Sequence, residues 1–582
     1  MHPGGVNLLA NTSELALGVV LAPITWVFGP VASLNASLLL APTLSALAMY
    51  VLLRRWVAWA PAAFCGGLLY GFSPLVLVAL SDAHLMLGWT VIPPLAVLCI
   101  DELLFRRSRR PVRVGVVLGL LLVVQFFLGT ELLLLLGIIA VPAALLLGAY
   151  GLRHRHDVSV QARNAITGLT AAAATAGGLL AWPAWFALAG PAHTSGRVWP
   201  TLYLGFEGTT LRGYVWPTPV SAGFSLFSHR VGGYQGPTLS GQYVGIGMVA
   251  VAAAGLLMWR RDRKLRFFGA MAAVSVMVSL GASRTVWLPW QVLAGQPLFE
   301  NIIPSRFLVV TYLCLAVMLG LVVDHAHRFV LGRAATSVAH LAGPGPGSAE
   351  GPGRQLGRSR RWVAGSVGLA VAAVGLAPIA SYLSPTVPMV TRPVRSPTWF
   401  ATIAPHLPSH QVLLVFPVPD QVIESAMAWQ ATAGFPYAMV GGGGPGGVIE
   451  RTGVERPGAE SIGRASFSFT GQHLRRGDLV ATRAALRNWR VDAAVVPDDP
   501  WLPPYDRVTS VPYAVAFLTA ATGHAPQRVA GSWTWSHVST DLPAGPGPTP
   551  GAFDVCVALA SNGPNSSPAA IRLVAACVLT AG

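Results

Sequence analysis

Runs of apolar residues, each long enough to cross a lipid bilayer, alternate along this chain with short turns rich in arginine. The runs lie near residues 32–53, 58–77, 84–104, 113–129, 131–151, 161–187, 242–259, 265–282, 305–324 and 362–380. A hydrocarbon core of about 30 Å takes about 20 apolar residues in helical form. Stretches such as Val114–Val124 and Leu132–Leu147 carry no charge at all. The pattern predicts an α-helical polytopic membrane protein with about ten spans.

Basic clusters follow the runs at Arg54–Arg55, Arg106–Arg113, Arg153–His156, Arg260–Arg266 and Arg328–Arg361. They fall at alternate ends of successive spans, so all five gather on one side, and the positive-inside rule makes that side the cytoplasm. The segments 188–241 and 283–304 then become external loops, and 381–582 becomes an extracytoplasmic domain. Residues 1–31 read as an external interfacial or re-entrant segment, with a short span as the alternative for Asn11–Pro30. The interfacial reading leaves Met1 outside with nothing to carry it there, and so implies a span upstream. Residues 326–361 read as a disordered cytoplasmic linker, because the Gly/Pro/Ser/Arg-rich part from 333 buries too little apolar surface to order itself.

The tail after the last span, 362–380, reads as mixed α/β. Val412–Val418 and Val491–Val496 are strand candidates, Ala481–Trp489 a short helix, and Gln527–Trp535 a further strand. Phe553–Leu559 and Ile571–Leu579 are expected to pair as late strands. The glycine run Gly441–Gly447 lacks the strand–helix setting and the lysine of a phosphate loop, so it reads as a flexible external loop.

Composition agrees with the pattern. Only 11% of the 582 residues are charged, against about 25% in soluble domains. The net charge is +16, and Lys264 is the only lysine. Such a balance suits nucleic acid in a soluble protein, but arginines confined to turns between spans are topology signals, and nucleic acid is excluded. Of the five cysteines, Cys65, Cys99 and Cys314 lie in apolar runs as small hydrophobes, while Cys556 and Cys577 are positioned to pair if the tail meets an oxidising compartment. No cysteine or histidine spacing suggests a metal site. Met1–Leu9 has no basic region of a cleavable signal.

A charge in hydrocarbon costs roughly 2.5–3.5 kcal/mol on insertion scales, so ionisable groups near spans are the candidates for chemistry. Asp82, His84 and Glu131 fall at the external ends of their runs, Glu131 in the hairpin Gln125-Phe-Phe-Leu-Gly-Thr-Glu. Asp101 and Glu102 lie beside Arg106 at the other end and read as charge balance. The external loops add Arg212, Arg284, Glu300 and Arg306, interleaved with aromatics such as Trp199, Tyr203 and Trp216. Arginine pairs bidentately with phosphate, and a carboxylate can take a proton from a hydroxyl. The set suits a lipid-phosphate sugar. Arg306 is the best phosphate candidate, since Pro304-Ser-Arg-Phe opens a span where a headgroup would lie.

Several stretches resemble bacterial polytopic GT-C-type glycosyltransferases, including the YfhO-type and RgtA/B/C/D-like membrane proteins. They are His2-Pro-Gly-Gly-Val-Asn-Leu-Leu, Asn11-Thr-Ser, Ala22-Pro-Ile-Thr, Gly67-Leu-Leu-Tyr-Gly-Phe-Ser-Pro, Ala83-His-Leu, Gln125 to Glu131, Pro304-Ser-Arg-Phe and, in the tail, Ala426-Met-Ala-Trp-Gln. The likeness covers most of 2–325 and the tail more loosely. It implies a GT-C-like fold in the plasma membrane and transfer of a sugar from a polyprenyl-phosphate donor to an envelope glycan or lipid. Glu131, Asp82 and His84 are then expected to serve catalysis, and Arg306 and Arg284 to bind the donor. Metal dependence is not specified by these motifs. Family members carry a first span and an acidic loop ahead of the His-Pro stretch, and this chain opens on that stretch. The expected base therefore has no counterpart, and Glu14 is the nearest carboxylate downstream. A non-catalytic transporter or assembly scaffold for envelope lipid or glycan is the competing expectation, disfavoured because the ionisable groups cluster at one end of the spans and no repeat is visible.

Overall fold

A computed structural model describes residues 5, 7–9, 14–81, 84–106, 110–153, 159–193, 208–217, 241–282, 287–297, 299–342, 358–384, 393–419, 423–442, 456–468, 473–499, 502, 509–560 and 567–582. The membrane part is a bundle of thirteen principal helices among the described residues. They are α1 (Leu15–Phe28), α2 (Pro30–Leu53), α3 (Ala60–Gly71), α4 (Pro74–Ser81), α5 (Leu85–Gly88), α6 (Ile92–Leu104), α7 (Pro111–Leu128), α8 (Thr130–Arg153), α9 (Ser159–Ala189), α10 (Ile246–Met258), α11 (Arg263–Ser279), α12 (Leu308–Ala342) and α13 (Arg358–Leu383). Proline opens α2, α6 and α7, where its missing N–H belongs to the unsatisfied first turn.

Eight described segments are long and apolar enough to cross a membrane, against the ten expected. The difference is the pair α10 and α11, of 13 and 17 residues. At 1.5 Å per residue the first reaches only about 20 Å. The turn Trp259-Arg-Arg-Asp ends it, and Asp262 caps α11 by accepting from the Lys264 and Leu265 amides.

The bundle is built around α12. Every residue in the most apolar window of Pro304–Gly332 is buried, whereas only 17% of the windows of Thr130–Gly151 and Ala162–Ala189 are. The latter two helices lie at the outside of the bundle. Close approach to α12 needs glycine. A Cβ on Gly66 of α3 would sit 2.6 Å from the Ala316 carbonyl oxygen.

The arginine clusters converge at one end of this bundle, as the weave requires. Arg106 donates to the Arg55 carbonyl and pairs with Asp101 at 2.8 Å. Arg263 donates to the Tyr150 hydroxyl, and Lys264 lies 5.2 Å over the Trp56 ring. Asp324 accepts from the Ala58 and Trp59 amides at 3.1 and 2.9 Å. The segment expected as a linker is helical in its first part, since α12 runs on to Ala342. Alanines at the end of this helix favour its continuation.

The tail folds as an α/β domain around a five-stranded sheet of order β2-β1-β3-β5-β4. The strands are β1 (Val412–Val415), β2 (Ala438–Met439), β3 (Ala493–Pro497), β4 (Gln527–Val529) and β5 (Ser532–Ser536). β1 runs parallel to β2 and β3, with Leu413 opposite Ala493, and β5 runs antiparallel to β3 and β4. All four residues of β1 are buried, because core lies on both faces of a central strand. The expected strand Gln527–Trp535 is the β4–β5 hairpin, turned at Ala530-Gly531, where both residues have positive φ.

The two late strands are helices instead, Pro550–Ala558 and Pro568–Ala581. Thr549 and Ser567 cap them and proline takes the first turn of each. The buried set Ile571, Val574, Ala575 and Val578 follows a helical period. Cys556 and Cys577 join the two helices in a disulfide with Cα atoms 5.5 Å apart.

Candidate functional site

At the end of α12 opposite the arginine clusters, four distant parts of the chain bring ionisable groups together. Arg306 lies in the 3-10 turn Pro304–Phe307 that opens this helix. The turn is fixed from α11, where the Ser275 hydroxyl donates to the Phe307 carbonyl at 2.8 Å and contacts the Thr311 hydroxyl at 2.9 Å. The Arg306 guanidinium donates to one carboxylate oxygen of Glu131, and only 15% and 12% of the two side chains are exposed. Glu131 sits in the first turn of α8, where a carboxylate is favoured by the helix dipole. Its other oxygen is buried without a hydrogen bond.

The α7–α8 hairpin reaches this point through Gly129. A Cβ there would come within 2.8 Å of the Met86 Cβ, so glycine lets the tip lie against the start of α5. The same stretch is held to α2 and α3. The Trp89 indole donates to Ser37 at 2.8 Å, the Thr90 amide to Ser45 at 3.2 Å, and the Tyr70 hydroxyl to the Thr90 carbonyl at 2.9 Å. His84 precedes α5 with the Arg306 charge close by, and an imidazole there can accept or donate a hydrogen bond.

Glu14, which the sequence offers only as the nearest downstream carboxylate, reaches the same start of α5 at Met86. Its carboxylate accepts from the Met86 amide, and its carbonyl accepts from the Leu17 and Gly18 amides at the start of α1. The backbone there is left-handed, with φ 41° and ψ 47°, a strained conformation for a side-chain-bearing residue. One turn on, Leu17 packs in a cluster with Leu80, Trp89 and Leu128, which anchors the segment. Burial pushes the Glu14 pKa up to about 7, the Met86 bond opposes it, and the charge of Glu424 adds to the rise. Glu424 comes from the α/β domain. It directly precedes the helix Ser425–Thr432, so this helix start lies within charge range of Glu14.

Of the residues selected from sequence, Glu131, His84 and Arg306 are thus brought together, and Asp82 and Arg284 lie outside the described residues. Asp101 pairs with Arg106 at the opposite end, as charge balance predicts. Glu14 is named in the sequence only as the nearest downstream carboxylate, and Glu424 is not singled out there. The usable signals were a lone carboxylate ahead of an apolar helix, and a second one two residues before the family-like stretch Ala426-Met-Ala-Trp-Gln. Among the described residues no group of three or more histidine, cysteine, aspartate or glutamate side chains could hold a metal ion.

The arrangement offers three chemical capacities. Glu14 can accept a proton near neutral pH, Arg306 can exchange Glu131 for another anion, and the bare Glu131 oxygen can accept from a hydroxyl. Neither a protein-family model nor a curated protein matches the sequence. Among solved structures, ArnT from Cupriavidus metallidurans in the apo state is similar at 15% identity, with a TM-score of 0.44 over 92% of this chain and 89% of that one. The arabinofuranosyltransferase AftD from Mycobacteria is similar at 15% identity and a TM-score of 0.47 over 91% of this chain; the match spans only 35% of AftD. ArnT bound to undecaprenyl phosphate gives 12% identity and a TM-score of 0.37 over 92% and 90% of the two chains. At these scores no residue of this chain is placed in a role by superposition. The chain is a multi-pass membrane protein with an α/β domain.

Proposed function

We propose that this protein is a membrane glycosyltransferase that moves a sugar from a polyprenyl-phosphate donor to a hydroxyl of an envelope glycan or lipid on the outer face. The observation that carries this reading is the buried cluster itself. A carboxylate whose pKa lies near 7, Glu14, shares one end of the bundle with a buried arginine. A general base works best with its pKa near the operating pH. An arginine held in a dry site binds phosphate far more strongly than one in water.

In the reaction the acceptor hydroxyl gives its proton to Glu14 as its oxygen bonds to the anomeric carbon. The bond from that carbon to the phosphate oxygen breaks, and its electron pair stays on the polyprenyl phosphate. A single displacement inverts the anomeric centre. Arg306 leaves Glu131 to stabilise the charge gathering on the phosphate, and the freed Glu131 accepts a hydrogen bond from the sugar. Glu424 brings the α/β domain to the acceptor side of Glu14. The Cys556–Cys577 bridge supports an oxidising, extracytoplasmic setting for that domain.

The test is transfer by full-length protein in membranes supplied with radiolabelled polyprenyl-phosphate sugars and envelope acceptors. Wild type is expected to turn over one donor and Glu14→Gln to lose that turnover. No turnover of any donor, or a Glu14→Gln variant as active as wild type, overturns the reading.

A further inference from the structure

At the arginine-rich end, a cavity of about 330 Å³ opens between the α10–α11 turn and α12, lined by Met258, Trp259, Arg260, Arg261, Asp262 and His325. Its floor is built and saturated. The Arg328 guanidinium can only donate, so the His325 Nδ1, 2.9 Å away, accepts. The His325 Nε2–H then donates to Asp262 at 2.8 Å. The other Asp262 oxygen accepts the Lys264 and Leu265 amides at 2.8 and 3.1 Å. The one carboxylate in the lining is thus already engaged by donors on both oxygens and sits at the positive end of α11.

The cations around the cavity divide into two kinds. Arg263 is taken by the Tyr150 hydroxyl and ring, Lys264 by the Trp56 ring, and Arg328 by Asp324 at 2.8 Å. Arg260 and Arg261 are exposed, and among the described residues neither has an ion pair or a hydrogen bond. Just before them, at the end of α10, Leu257 and Met258 are 77% and 63% exposed. An apolar strip leading to two unengaged guanidinium groups has the outline of a phospholipid, acyl chain first and phosphate after.

We propose that this cavity binds the phosphate of an anionic phospholipid from the leaflet on the arginine-rich side, with Arg260 and Arg261 holding the phosphate and Leu257 and Met258 against the acyl chain. The lipid is favoured over free phosphate because the apolar strip continues directly from the cations into the bilayer zone. A bound lipid ties the short α10–α11 hairpin to α12 through the Asp262–His325 floor. The site does not depend on sugar transfer.

The experiment uses full-length protein stripped of lipid in detergent, with added phosphatidylglycerol or phosphatidylcholine, read by native mass spectrometry and by thermal unfolding. Wild type is expected to retain phosphatidylglycerol in preference to phosphatidylcholine and to melt higher with it. Arg260→Gln combined with Arg261→Gln should weaken phosphatidylglycerol binding about thirtyfold and remove the gain in melting temperature, while melting without lipid is unchanged. Arg54→Gln with Arg55→Gln removes the same charge from the same side and should leave retention near wild type. Excess glycerol 3-phosphate or inorganic phosphate should not displace the lipid. The proposal is overturned if both double variants behave alike, if phosphatidylcholine binds equally, or if glycerol 3-phosphate competes as well as the lipid.

Discussion

The two ends of α12 carry the same kinds of residue in opposite states. At the arginine-rich end, one Asp324 oxygen accepts two backbone amides and the other, without a hydrogen bond, lies 2.8 Å from the Arg328 Nε, while Asp262 is filled by His325 and two amides. At the other end, Glu131 has one oxygen on Arg306 and one bare, and Glu14 is held in a left-handed backbone with a raised pKa. A carboxylate with an amide or a cation against each oxygen locks helices and has little left to offer a substrate. A buried acceptor left open is costly to the fold and persists where a ligand can fill it. The contrast teaches that buried charge alone does not mark a site; incomplete satisfaction does.

The sharpest way to break this contrast is Glu14→Gln, expected to reduce transfer by about 10²–10⁴-fold, the usual span for a lost general base. Thermal unfolding of the same variant should be no lower than wild type. Next comes Arg306→Gln, expected to cost about 10²–10³-fold in turnover as an oxyanion-stabilising donor. It also strands Glu131 in a buried site, so Glu131→Gln in the same chain should restore the melting temperature without restoring transfer. Asp324→Asn reverses the pattern. It should lower stability by about 1–3 kcal/mol, from amides and an arginine left poorly paired, with transfer per folded molecule unchanged. Thermal unfolding followed alongside activity separates the two ends.

Smaller effects come from pH. Glu14 must be ionised to act, so transfer should rise with pH through about 7. Since its pKa is raised from the ordinary 4.5, the folded state holds the proton more tightly than the unfolded, and ionising Glu14 costs the fold as pH climbs through that window. The groups that act on it are the Met86 amide, which lowers its pKa, and Glu424, which raises it. Glu424→Gln should move the acid limb to lower pH. It should stop short of the ordinary carboxylate range, because burial, the larger cause of the shift, remains. An unmoved limb in an active variant would remove Glu424 from the site while leaving Glu14 in it.

Much of this was legible in the chain. Glu131 and Arg306 stood out singly, each as a charge beside a long apolar run, but their meeting across 175 residues of sequence was not readable. Glu14 stands in the sequence only as the nearest carboxylate downstream of the His-Pro stretch, since nothing local distinguishes a carboxylate in solvent from a buried one. The late strands were misread because short apolar runs fit both periods, and the Thr549 and Ser567 caps with their following prolines were the deciding signal.

The sequence by itself determined that the chain lives in a membrane, since hydrocarbon admits only long uncharged helices. It also determined that the arginine turns share one side, since successive spans must alternate in direction. Only the tertiary structure decided which carboxylates are satisfied and which are left open. That depends on contacts between segments far apart in sequence, where Gly129, Met86, Glu14 and Glu424 come within reach. Hydropathy is a property of each residue and its neighbours, whereas satisfaction of a buried charge is a property of the whole packed bundle.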